Sequence, residues 1–153
     1  MRYWLMKTEP GTFGVEHLAA APRSTAPWDG VRNFQARNML RDEMRRGDQA
    51  FLYHSGAVPG IVAVMQIVKQ GYPDPTAFDR KHHHYDPDSD PANPRWFMVD
   101  VQLKRRLART IALEELRAHA GKELKGMVLL RPGNRLSITP VAAAHWKFIL
   151  SLE

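Results

Sequence analysis

The chain contains no cysteine, which excludes a disulfide framework, a thiolate nucleophile and any zinc site built on thiolates. It also lacks a long apolar run. Lys7 interrupts the N-terminal stretch Tyr3-Trp4-Leu5-Met6 after a few residues, no segment is long enough to cross a bilayer, and no cleavable leader pattern is present. The expectation is a protein of the cytoplasm, or of the nucleus if its source is a eukaryote, with no membrane partner. No internal repeat or low-complexity tract is visible. Acidic residues are the scarcer charged class, 16 Asp and Glu against 22 Lys and Arg, giving a net charge of +6 and a pI near 9.9. An excess of cations points to a polyanion, because Lys and Arg that neutralise phosphates release condensed counterions.

What is present is enough apolar material for one core. At 153 residues and 44% hydrophobic content, the expectation is a single domain over 1–153, monomeric, with no cofactor. Residues 2–7 alternate as a short first strand, and Glu9-Pro10-Gly11 turns the chain. Residues 15–20 read as a short helix with a weak glycine start at Gly14. The longest amphipathic helix is predicted over 31–45, capped by Asp29 and stopped by Gly47. Gln49 to His54 and Ile61 to Val68 read as antiparallel strands joined through Ser55-Gly56-Ala57-Val58-Pro59-Gly60. Residues 71–94 carry five prolines, five aspartates and three consecutive histidines, a long structured loop of the kind that serves as a lid. A strand over 96–107, short helices over 113–119 and 124–130, and a strand over 135–138 follow. Thr139 is read as the cap of a terminal helix with Pro140 at its first position. Mixed short strands and helices give an α+β class with a curved or closed sheet.

The segment Trp28-Asp29-Gly30-Val31-Arg32-Asn33-Phe34 carries the most chemistry. A tryptophan beside a helix start offers a planar stacking face next to backbone N–H groups that favour an anion or a ligand carbonyl. The competing reading makes Trp28 and Phe34 a hydrophobic staple. His82, His83 and His84 with Asp86, Asp88 and Asp90 are metal-ligand types, but consecutive side chains diverge in an extended loop, so no metal is assigned. His54, Ser55 and Asp100 are the parts of a hydrolytic set. Neighbours in a strand face opposite ways, and no nucleophile-elbow pattern surrounds Ser55, so no catalytic residue is assigned. Ser55 remains either a short pocket donor or an ordinary strand cap. Trp4 and Trp146 read as core.

Several motifs in order resemble the EVE domain family: Tyr3-Trp4-Leu5-Met6-Lys7-Thr8-Glu9-Pro10, the Trp28–Asn38 segment, Tyr53-His54-Ser55, Pro59-Gly60-Ile61-Val62, Tyr72-Pro73-Asp74-Pro75-Thr76, Pro94-Arg95-Trp96-Phe97-Met98-Val99-Asp100-Val101 and Met127 to Ser137. The resemblance covers essentially the whole chain. It implies a PUA-like fold related to YTH and ASCH domains, a small β-barrel with short helices, and a noncatalytic pocket for a modified base. By that similarity the pocket comprises Lys7, Thr8, Trp28, Asn33, Tyr53, His54, Ser55, Tyr85 and Arg131; Trp96, at the mouth of a strand, is either a further pocket residue or one that holds the barrel together. The basic residues and the helix start place Lys7, Gly30 and Arg32 toward phosphate or another anion. The partner implied is nucleic acid with a methylated or hydroxymethylated cytosine, DNA ahead of RNA. The alternatives are a binder of a small anionic or nucleotide-like metabolite and, third, a hydrolase.

Overall fold

The computed structural model describes residues 1–153. Strand β1 (Tyr3–Thr8) shows how the sheet is built: Trp4 and Met6 enter one apolar cluster while Leu5 enters another, as a period-two strand covered on both faces requires. Helix α1 (Val15–Ala20) and a 3-10 turn (Pro22–Ser24) lead to the short strand β2 (Thr25–Pro27). Helix α2 (Phe34–Asn38) runs into a π-helical segment (Met39–Glu43), and then come β3 (Gln49–His54), β4 (Gly60–Pro73), a 3-10 turn (Pro75–Phe78) and β5 (Phe97–Ala112). Helix α3 (Leu113–Ala118), a 3-10 turn (Val128–Leu130), β6 (Ile138–Val141) and helix α4 (Ala143–Ser151) complete the chain.

The six strands form one sheet in the order β2-β5-β4-β3-β1-β6. Every neighbouring pair is antiparallel except β1 with β3. Four register shifts interrupt the β4–β5 ladder, and each bends the strand it occupies. The sheet stays open, with β2 and β6 at its edges, so the PUA-like α+β expectation is met by a sheet that does not close into a barrel. One face buries a 17-residue cluster containing Trp4, Met6, Trp28, Leu40 and Leu52. The other buries a 14-residue cluster built around Phe51 stacked on Trp146 at 3.9 Å between ring centroids.

Three element expectations need correction. The helix predicted over 31–45 starts later, because the Asn33 side chain, not Asp29, accepts from a first-turn amide, Ala36 N–H at 3.0 Å. Its C-terminal part is π-helical, with Met44 N–H donating to Met39 C=O. The helix over 124–130 reduces to the single turn Val128–Leu130, since Gly126 at φ +85° leaves the helical region. Thr139 and Pro140 do not start the terminal helix. They belong to β6, where Pro140 lies opposite Trp4 on the outer strand of the sheet, a position that tolerates a missing N–H donor.

Candidate functional site

A cleft of about 450 Å³ opens where the end of β1, the 28–32 loop and the histidine loop meet, within the size range of small-ligand sites. Its aromatic wall comes from Phe13 and Trp28, packed edge to face at 6.1 Å between centroids. Trp28 directly follows β2 and is anchored by its N–H to Val99 C=O at 2.8 Å. The residue is 6% exposed, and it belongs both to the larger apolar cluster and to the cleft lining. Lys7, Thr8, Glu9, Thr12, Asp29 and Ser137 supply donors and acceptors around the rim. Burial pushes the Lys7 ammonium below the usual lysine range. With Glu9 and Asp29 on the same cleft, the polar lining mixes both signs.

The buried carboxylate of Asp74 fixes this arrangement. It accepts from Gly30 N–H at 2.8 Å, from Arg32 Nη1 at 3.0 Å, and from the Thr76 N–H and hydroxyl at 2.9 and 2.6 Å. Burial alone raises its pKa, but the hydrogen bonds from Thr76, Gly30 and Arg32 reverse that and hold it below the ordinary value. Arg32 also donates to the His84 carbonyl at 2.8 and 3.2 Å and to the Thr76 hydroxyl at 3.2 Å. Asp74 and Arg32 therefore tie the lid segment to the 28–32 loop. Gly30 stands at φ +78° with the His84 ring directly over it; a Cβ there would lie 2.2 Å from His84 Cε1. Any side chain there would have to displace the His84 ring and adopt a left-handed backbone that glycine takes without strain.

The structure brings Lys7, Thr8, Trp28, Gly30 and Arg32 together on the cleft. The anion role expected of Gly30 and Arg32 does not hold as stated, because the Gly30 amide and the Arg32 guanidinium already serve Asp74, Thr76 and His84. The other expected residues lie off the cleft. Asn33 is the α2 cap. Tyr53 is buried in the cluster on the opposite face, and Arg131 is exposed after the Val128–Leu130 turn. His54 Nε2 accepts from Val15 N–H at 3.1 Å at the start of α1; burial lowers its pKa, and the Glu9 charge opposes that in part. The Ser55 hydroxyl donates to Thr8 C=O at 3.2 Å. Trp96 is buried with its indole N–H on Asp86 at 2.6 Å, and Tyr85 sits on the surface of the lid loop.

The sequence reading missed the part played by the histidines. The loop is wound and not extended, with His82 N–H on Asp79 C=O and Tyr85 N–H on His82 C=O. The three rings gather 3.8–4.9 Å apart between centroids and all line the cleft. Their ring nitrogens fall within 4.8 Å of one another, so the expected divergence is not observed. His82 and His83 are nearly parallel, 17° between planes. Lone pairs lie in the ring planes, so this stack does not aim both rings at one ion. Asp74 and Phe13 were also missed as parts of the site; the Asp-Pro-Thr sequence of an Asx turn was the available signal for the first.

A family model described as the EVE domain matches residues 2–152. The chain belongs to the EVE domain family. Over 99% of its length this EVE domain is 48% identical to thymocyte nuclear protein 1 of Mus musculus, of which it covers 73%. It is similar, with a TM-score of 0.94 and 46% identity, to the crystal structure of human THYN1 protein in complex with 5-methylcytosine-containing DNA, covering 99% of this chain and 97% of that one. An ASCH protein from Zymomonas mobilis, 10% identical with a TM-score of 0.57, shares the fold over 99% of each chain. No helix of this EVE domain is long and apolar enough to cross a membrane.

Proposed function

We propose that this EVE domain reads a methylated or hydroxymethylated cytosine in DNA, holding the base extruded in the Phe13–Trp28 cleft and performing no chemistry on it. The observation that carries the reading is an aromatic-walled cleft with mixed-sign polar groups at its rim. An extruded base loses stacking worth about a few kcal/mol, which an aromatic wall restores. The cytosine edge presents an amino donor beside ring acceptors, matched by the carboxylates of Glu9 and Asp29 and by the donors of Lys7 and Thr12. The human relative crystallised with 5-methylcytosine DNA supports the same polymer and base.

The other readings fit less well. A small anion would meet Glu9 and Asp29 in the cleft, and the Gly30 amide that was to hold it is occupied by Asp74. For hydrolysis, His54 would have to give up Val15, Ser55 is bonded to Thr8, and Asp100 accepts from the Tyr72 hydroxyl.

A fluorescence titration with two duplexes that differ only in one cytosine methyl tests the reading. One buried methyl is worth about 0.8 kcal/mol, so the methylated duplex is expected to bind roughly fourfold tighter. Both affinities should fall steeply with salt because phosphate contacts release counterions. Equal affinity for the two duplexes overturns methyl recognition, tighter binding of a matched methylated RNA reassigns the polymer, and a flat salt response with free-nucleotide binding returns the small-anion reading.

A further inference from the structure

Phe34 is out of place for a core residue. A staple partner of Trp28 would be packed away, yet Phe34 is 52% exposed at the first position of α2. The cleft and Phe34 are linked by a pile of planar groups. Arg32, which lines the cleft, sits 5.4 Å from the Trp96 ring centroid. Trp96 stacks on Phe34 at 4.8 Å and 24°, and Arg37 and Arg95 lie 5.0 and 6.0 Å from the Phe34 ring. Trp96 is buried and tethered through its indole N–H to Asp86, so the exposed phenyl has a rigid backing.

Resting on the base-reading function above, we propose that Phe34 is a wedge that enters a DNA duplex at the step vacated by the extruded base, with Arg37 and Arg95 against the flanking phosphates. A duplex that gives up a base pays for lost stacking at that step, and an inserted apolar side chain is the recurrent way proteins hold such a step open. The charge around Phe34 suits that occupant. Arg37 donates to the Arg95 carbonyl at 2.7 Å and to Asn38. Its pKa is lowered first by burial and then by the positive charge of Arg41, with Arg95 adding to it and Asp42 opposing. Arg95 reaches the Asp86 carboxylate at 3.6 Å and donates to Asp88 C=O at 3.4 Å, and its side chain is 37% exposed. Two guanidinium groups lying over an exposed aromatic ring put positive charge beside an apolar surface, which suits a stacked base step flanked by phosphates.

The test compares the unaltered protein with Phe34→Ala, and with Phe34→Gln as a second variant, on three probes: a duplex with one 5-methylcytosine, the same methylated strand alone, and a duplex in which the methylcytosine faces an abasic site. Melting temperatures accompany each variant; an exposed helix-start position is expected to shift them little. Loss of one stacking partner is worth about 1–3 kcal/mol, so both variants should lose roughly 5- to 150-fold on the paired duplex. They should lose little on the single strand and an intermediate amount on the abasic duplex. A 2-aminopurine beside the methylcytosine should brighten on binding the unaltered protein and less on binding either variant. Equal losses on duplex and single strand would make Phe34 a general contact and overturn the wedge, as would no loss at all. Failure of the unaltered protein to prefer the methylated duplex over the unmethylated duplex of the titration above overturns the base-reading function itself, and that result is visible without any variant.

Discussion

Trp28→Leu is expected to weaken binding of a methylcytosine duplex by about 5- to 150-fold while the protein remains folded. The magnitude is the loss of base–aromatic stacking, about 1–3 kcal/mol per base. Leucine is the informative replacement because Trp28 is only 6% exposed and belongs to the larger apolar cluster. Trp28→Ala would also open a cavity beneath the 28–32 loop, costing about 3–5 kcal/mol of stability, so its binding defect would be confounded. Trp28→Phe keeps an aromatic face and should retain much of the affinity. Paired titrations and thermal melts check this; a leucine variant that binds as tightly as the unaltered chain removes Trp28 from recognition and leaves it a packing residue.

The largest effect on stability is expected at Asp74. Asp74→Ala removes the acceptor for Gly30, Arg32 and Thr76 at once and leaves Arg32, whose side chain is 23% exposed, without its carboxylate. Breaking a buried pair in this way costs about 3–5 kcal/mol, toward the lower end where one partner is partly solvated. In a domain of this size that corresponds to roughly 6–12 °C in melting temperature. The lid loop loses its tie to the cleft, so base binding should fall as well. Because the folded carboxyl titrates below its ordinary value, its contribution is complete above about pH 4 and is lost as acid takes the pH through the lowered pKa. The alanine variant should therefore show less loss of stability on that acid limb. A melting temperature unchanged by the substitution would show that the Asp74–Arg32 tie does not hold the loop.

How far the sequence could be read depended on whether a residue's role was local. Strand β3 occupies the predicted residues 49–54, because an apolar β-rich run between turn signals needs only its own pattern. Lys7, Thr8 and Trp28 come to one cleft, and each lies at the end of a strand, where side chains leave the sheet. The helix start misled because Asp29 and Asn33 are both competent caps. Val31 and Phe34 mimic a buried stripe, yet Phe34 points to solvent. Long-range hydrogen bonds, from Gly30 to Asp74 and from Arg32 to Asp74, Thr76 and His84, join the 28–32 segment to the lid and not to the helix. The histidine loop differs from an extended segment because local turns wind it, with His82 N–H on Asp79 C=O and Tyr85 N–H on His82 C=O, and Arg32 reaches the His84 carbonyl across 52 residues, a contact no local pattern encodes.

A cytosine methyl at rest against the Phe13–Trp28 wall is expected to be visible by NMR of a duplex whose single 5-methylcytosine carries a 13C-labelled methyl. On adding the protein, the methyl signal should move away from its stacked-duplex position under the aromatic ring currents, with nuclear Overhauser contacts to Trp28 and Phe13 protons that disappear in Trp28→Leu. A methyl signal that stays at its duplex shift, with contacts only to neighbouring bases while the complex forms, would mean that the base remains in the helix and that the cleft does not read it.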